Sequence, residues 1–105
     1  YAGDFAANSD KRLKNVVGDI KDALLNIQKL KGVRYYWNDE AAKLGFSKDV
    51  LQVGLLAQDV EDIAPEAVHT TKHNHKAVSY DKIVPFLVEA IKELIIEIEE
   101  LKKSK

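Results

Sequence analysis

The stretch Tyr80–Leu101, YDKIVPFLVEAIKELIIEIEEL, decides the fold. Its apolar residues Val84, Leu87, Ile91, Leu94, Ile98 and Leu101 recur at alternating spacings of three and four. That rhythm predicts a helix with Val84, Ile91 and Ile98 at a positions of a heptad and Leu87, Leu94 and Leu101 at d positions. Val88 and Ile95 at e, with Ile83 and Ala90 at g, widen the stripe beyond a two-stranded seam. A stripe that wide needs more than one partner helix, so the reading is a parallel three-chain coiled coil trimerising through those six a and d residues. Glu97 at g and Lys102 at the next e are placed to pair between chains, at ~0.2–1 kcal/mol for an exposed pair. Pro85 is comfortable only in a first helical turn, which fixes the helix start between Asp81 and Pro85.

Working back from that helix, Ala67–Thr71 and Lys76–Tyr80 flank the polar triplet His73-Asn74-His75 and predict a β-hairpin. Gln58–Ile63 reads as a short helix ended by Pro65. Leu51–Leu56 is an apolar strand candidate, and Asn38–Lys48 a loop with a helical turn at Asp39–Leu44. Val33-Arg34-Tyr35-Tyr36-Trp37 reads as a strand with Val33, Tyr35 and Trp37 on one side. Before it, Leu13, Val16, Val17, Ile20, Ala23, Leu24, Ile27 and Leu30 predict a helix over 11–31 that packs around the outside of the coil. Ser9 or Asp10 would cap its start, and Lys29, Lys31 and Gly32 would close it. Gly18 inside it costs ~1 kcal/mol against alanine. The class is therefore α+β: an N-terminal helix, central β-hairpin arms with a short helix, and a long coiled-coil helix.

Composition sets limits on function. The 105 residues make one domain, with 16 basic against 17 acidic side chains and a net charge of −1, so no field draws the chain to nucleic acid or anionic membrane. With no cysteine there is no disulfide framework, thiol nucleophile or thiolate metal site. No apolar run approaches the ~20 residues of a membrane span. The opening at Tyr1 rather than methionine reads as a piece of something longer. Residues 1–8, YAGDFAAN, carry no periodic pattern and read as a linker or the end of an upstream domain.

The chemistry-bearing stretch is Ser9-Asp10-Lys11-Arg12-Leu13-Lys14. In its plain reading Ser9 and Asp10 are helix caps and Lys14 a solvated lysine. In the functional reading Ser9 is a nucleophile and Lys14 its general base, with Asp10 in support. Five residues of helix turn a side chain by about 140°, so the pair meets only if Ser9 lies at a non-helical cap and the lysine arm folds back. His69, His73 and His75 read as solvated hairpin residues rather than a metal set. Tyr35, Tyr36 and Trp37 read as core or arm packing rather than a base-stacking platform.

Several motifs in order lift the functional reading. The S-D-x-R-L-K opening, V-x-Y-x-W (Val33, Tyr35, Trp37), G-x-x-A-Q-D-V (Gly54, Ala57, Gln58, Asp59, Val60), P-E-A-V (Pro65 to Val68) and the V-S-Y…L-V-E-A-I-K-E-L ending (Val78 to Tyr80, Leu87 to Leu94) resemble the chaperone of endosialidase family. That is the C-terminal intramolecular chaperone domain of phage tail fibres and tailspikes. The chain is also similar to the self-cleaving segment of myelin regulatory factor-like transcription factors, but its ending looks closer to the phage members.

The resemblance implies a homotrimer whose central arms reach back over the stem of an upstream fibre, with residues 9–31 as cleavage site and helix, 32–79 as arms and 80–105 as coil. It implies self-cleavage between Asn8 and Ser9, with Ser9 and Lys14 matching the family's dyad. It implies no cofactor, metal, nucleic acid, membrane or small-molecule ligand, assembly in the host cytoplasm, and a parent protein in the virion. Two alternatives stay open: a trimerisation module that does not cleave, and the cleavage domain of a membrane-anchored transcription factor.

Overall fold

The computed structural model describes residue 6 and residues 8–104. Of the expected linker over residues 1–8, residues 1–5 and 7 lie outside the described residues. Four helices and four short strands follow one another: α1 (Ala23–Ile27), β1 (Val33–Tyr35), α2 (Asp39–Lys43), β2 (Gln52–Gly54), α3 (Ala57–Ile63), β3 (Val68–Thr70), β4 (Lys76–Val78) and α4 (Val84–Lys103).

The elements start and stop where local chemistry directs. In α2, Asn38 caps by accepting from the Ala41 N–H at 3.0 Å, and Asp39 and Glu40 sit in the positively polarised first turn. Gly45 then leaves at φ +99, a conformation that favours glycine. Pro65 follows α3 and opens a 3-10 turn (Pro65–Ala67) leading into β3. α4 begins after a 3-10 turn at Tyr80–Lys82 and holds Pro85 in its first turn, as its restricted φ requires.

The strands form two antiparallel pairs. β1 and β2 align Val33 with Gly54 and Tyr35 with Gln52; β3 and β4 align Val68 with Val78 and Thr70 with Lys76. The second hairpin turns through Asn74 at φ 65, an αL position that asparagine tolerates. Between the pairs lies a small core of Val60, Ala64, Ala67 and Ile83, flanked by Leu30, Leu55, Ile63, Val68, Val78 and Phe86. The first hairpin is pinned to the base of α4 by the Tyr80 hydroxyl, which accepts from the Leu55 N–H at 2.8 Å. A Cβ at Gly54 would stand 2.7 Å from that oxygen, so any larger residue here displaces the tyrosine from its bond.

The expected helix over 11–31 is corrected. A 3-10 turn covers Lys11–Leu13, residues 14–21 form neither helix nor strand, and α1 occupies only Ala23–Ile27. Gly32 consequently closes no helix, since the C-cap is Gln28. The N-terminal part of the stripe meant to drive the helix buries little: Leu13 is 75% and Val16 78% exposed. An amphipathic helix draws most of its stability from such burial. Asp22 also stands at φ 56, where a right-handed helix cannot continue through it.

The chain is spread out for its size. It exposes 8916 Å², where a compact chain of this mass exposes about 5900 Å². Its radius of gyration is 17.6 Å, against about 13 Å for a compact domain. No helix among the described residues is long and apolar enough to cross a membrane.

Candidate active site

The Ser9–Lys14 segment is built by one tight turn between extended residues. Asp10 is extended, Lys11–Leu13 make the 3-10 turn, and Lys14 returns to extended backbone at φ −117, ψ 136. The turn is closed by the Leu13 N–H donating to Asp10 O at 3.0 Å and the Lys14 N–H donating to Lys11 O at 3.2 Å. It reverses the chain enough for the lysine arm to come back on the serine. Lys14 Nζ donates to Ser9 Oγ at 2.6 Å. All residues from Asn8 to Lys14 are exposed.

Asp10 turns to a different partner. Its carboxylate accepts from the Arg12 N–H at 2.9 Å and from the Arg12 guanidinium at 2.7 Å (Nη2), 3.1 Å and 3.2 Å (both Nε). The Arg12 side chain, with its backbone N–H in second place, holds the Asp10 carboxyl below the usual carboxylate range, and Asp10 raises the Arg12 guanidinium in return. Asp10 thus organises the turn that joins Ser9 to Lys14. The part played by Arg12 was not read from the sequence, where its i,i+2 spacing from Asp10 was the available signal.

Glu93 is a second residue that sequence reasoning missed. From the middle of α4 its carboxylate accepts from the N–H groups of Ala23 (2.9 Å) and Leu24 (3.3 Å), fastening α1 to α4. No short-range pattern links positions 70 residues apart.

The residues expected to form a trimer seam, Val84, Leu87, Ile91, Leu94, Ile98 and Leu101, run in line along α4, each 43% or more exposed in the single chain. In the hairpin region, Trp37 stacks at 4.5 Å from Phe46 and meets Tyr35 edge-on at 5.1 Å, while Tyr36 is exposed. These rings line a groove of about 740 Å³ between the two hairpins. Across it, His75 Nε2 lies 2.6 Å from Glu40 Oε2.

Fold and site together define a small α+β domain that ends in a long amphipathic helix and presents a serine–lysine pair ahead of its first packed element. The profile of the chaperone of endosialidase family, named as a peptidase family, matches residues 9–69. The match begins at the serine and covers more than half of the chain, which belongs to this family. Two relatives, the long tail fiber proteins Gp37 of Enterobacteria phages K3 and T2, are each 36% identical over 100 residues, covering 91% of this chain. The chain corresponds to only 8% and 7% of their lengths.

Proposed function

We propose that residues 9–105 are the intramolecular chaperone of a longer phage tail fibre chain, which trimerises, sets the register of the fibre upstream, and then releases it by cutting the Asn8–Ser9 bond. The observation that carries this reading is the 2.6 Å contact between Lys14 Nζ and Ser9 Oγ. That contact is within the range a general base needs. The similarity to fibre proteins supplies the setting.

In the proposed reaction, neutral Lys14 takes the Ser9 hydroxyl proton while Oγ attacks the carbonyl carbon of Asn8. The C–N bond breaks as the proton passes to the Ser9 nitrogen. The Asn8 acyl group is then held as an ester on Ser9 Oγ, and the α-amine of Ser9 is free. Water hydrolyses the ester, leaving a carboxylate at Asn8 and restoring the serine hydroxyl. Asp10 supports the reaction by shaping the Lys11–Leu13 turn through Arg12.

The trimer is favoured by the uncovered α4 seam and by the excess surface of the lone chain. Three long chains that must wind together face a large closure cost before their distant contacts form, and a terminal coil lowers it by raising their local concentration. Cleavage removes the coil once the fibre is kinetically stable. The parent protein is then a virion component assembled in the host cytoplasm, with the arms of residues 32–79 against its stem.

The test is intact-mass analysis and gel electrophoresis of a chain extended upstream with its fibre region. The wild type should divide into two fragments, the second beginning at Ser9, while Ser9→Ala and Lys14→Ala stay whole. A wild type that also stays whole would leave a trimerisation cap without peptidase activity.

A further inference from the structure

From the Glu93 contacts we infer that Glu93 is a positioning residue that stops the amphipathic helix at Ala23 and so keeps the Ser9–Lys14 segment in the extended form in which lysine meets serine. The inference rests on the self-cleavage reading and adds to it a residue 79 positions from Lys14. In an uninterrupted helix over 11–31, the Ala23 N–H would donate to the carbonyl of Asp19 and the Leu24 N–H to that of Ile20. Both donors are instead given to the Glu93 carboxylate, at 2.9 and 3.3 Å. A charged acceptor competes well for backbone donors.

Three further features agree. Asp22 directly before α1 is itself a good capping residue, yet its side chain makes no cap bond and its backbone is left-handed at φ 56. The start of α1 is therefore set by a distant residue rather than by its own sequence. The contact is also built into the packing: Ala23 is fully buried, and Ala90, one turn before Glu93, is buried on α4. Finally, Glu93 falls at a c position of the heptad, off the a and d seam. Its grip on α1 and the pairing of α4 with other copies use different sides of one helix.

Without Glu93 the two N–H groups are free to return to the helix ladder, and α1 can extend towards Lys14. Lys14 would then leave its extended conformation, and its arm would depart from a helical turn.

The experiment uses the upstream-extended chain as wild type, Glu93→Ala, Glu93→Gln and, as a control on the same helix, Glu99→Ala. Cleavage rate and mass-resolved amide exchange over residues 14–22 are measured together. Glu93→Ala should cut about tenfold or more slowly, as a small displacement of reacting groups suffices for that. It should also exchange about tenfold more slowly over 14–22, because new helix protects those amides. Glu93→Gln keeps one carbonyl acceptor but loses the charge and the second acceptor oxygen, so it should fall between Glu93→Ala and the wild type in both readouts, and Glu99→Ala should match the wild type. A merely structural loss would make exchange faster, not slower. Wild-type cutting by Glu93→Ala, unchanged exchange in it, or faster exchange in either Glu93 variant overturns the inference while leaving the dyad standing. If the wild type does not cut, the dyad itself has failed and the positioning role falls with it.

Discussion

Two stretches of this chain carry the same apolar rhythm and end in opposite states. Residues 13–27 and 84–101 both place large apolar groups at spacings of three and four, yet the second is an unbroken helix of 20 residues and the first is helical only over Ala23–Ile27. The N-terminal part of the first stripe and the a and d positions of the second are both exposed in the single chain, so exposure alone does not separate them. α4 is rich in glutamate, lysine and leucine, with no glycine inside it, whereas the first stretch has Val16-Val17-Gly18 at its centre, which is poor helix material. α4 is also secured at its base by Ile83 in the core and by the Tyr80 hydroxyl. The first stretch meets Glu93 at Ala23 and stops. Periodicity names the face a helix would use; propensity and anchoring decide whether the helix exists before a partner arrives.

The contrast can be broken at several points, with effects of decreasing size. Leu94→Asp places a charge in the α4 seam, where burial without a partner is prohibitive. The proposed trimer should be lost outright, read by sedimentation, with α4 still formed in the monomer by circular dichroism. Gly54→Ala drives a Cβ to 2.7 Å of the Tyr80 hydroxyl and frees the base of α4. It should cost about 1–3 kcal/mol in urea unfolding, the range for overpacking. Tyr80→Phe leaves the Leu55 N–H without its acceptor and should cost about 1 kcal/mol in the same measurement.

Gly18→Ala works in the other direction. The site is open, with nothing within 4 Å of an added Cβ. The change adds about 1 kcal/mol of helix propensity, and circular dichroism should show a small gain in helix while Glu93 still blocks its spread past Asp22.

The smallest effect is on pH. The Asp10 carboxyl is held low by Arg12, so its pairing is complete above the ordinary carboxylate range and is lost as pH falls through the lowered value. The Lys11–Leu13 turn should loosen only in that acid window. An NMR titration should place Asp10 below the ordinary aspartate range, and Arg12→Ala should return it to that range.

The parts of the fold that follow local rules were legible. Pro85 marked the start of α4, Pro65 the end of α3, and His73-Asn74-His75 the hairpin tip, while the turn expected at Asp39–Leu44 is α2. The β3–β4 pairing was legible from its polar tip, whereas the β1–β2 pairing was not called, and β1 stops at Tyr35 while Trp37 turns into the aromatic cluster with Phe46. The helix over 11–31 was misread because its limit is set by Glu93, a contact no local pattern encodes. In the site, Ser9 and Lys14 were legible as residue types in a family pattern, and the need for a non-helical serine followed from helix geometry. That Asp10 would turn to Arg12 depends on the 3-10 turn and was not.

The most direct measurement is sedimentation equilibrium on the chain of residues 1–105. The uncovered seam of Val84, Leu87, Ile91, Leu94, Ile98 and Leu101 is expected to draw three copies together, giving a species three times the 11.8 kDa of one chain. A chain that sediments at 11.8 kDa across the accessible concentrations would contradict the account, because a register-setting chaperone cannot act alone.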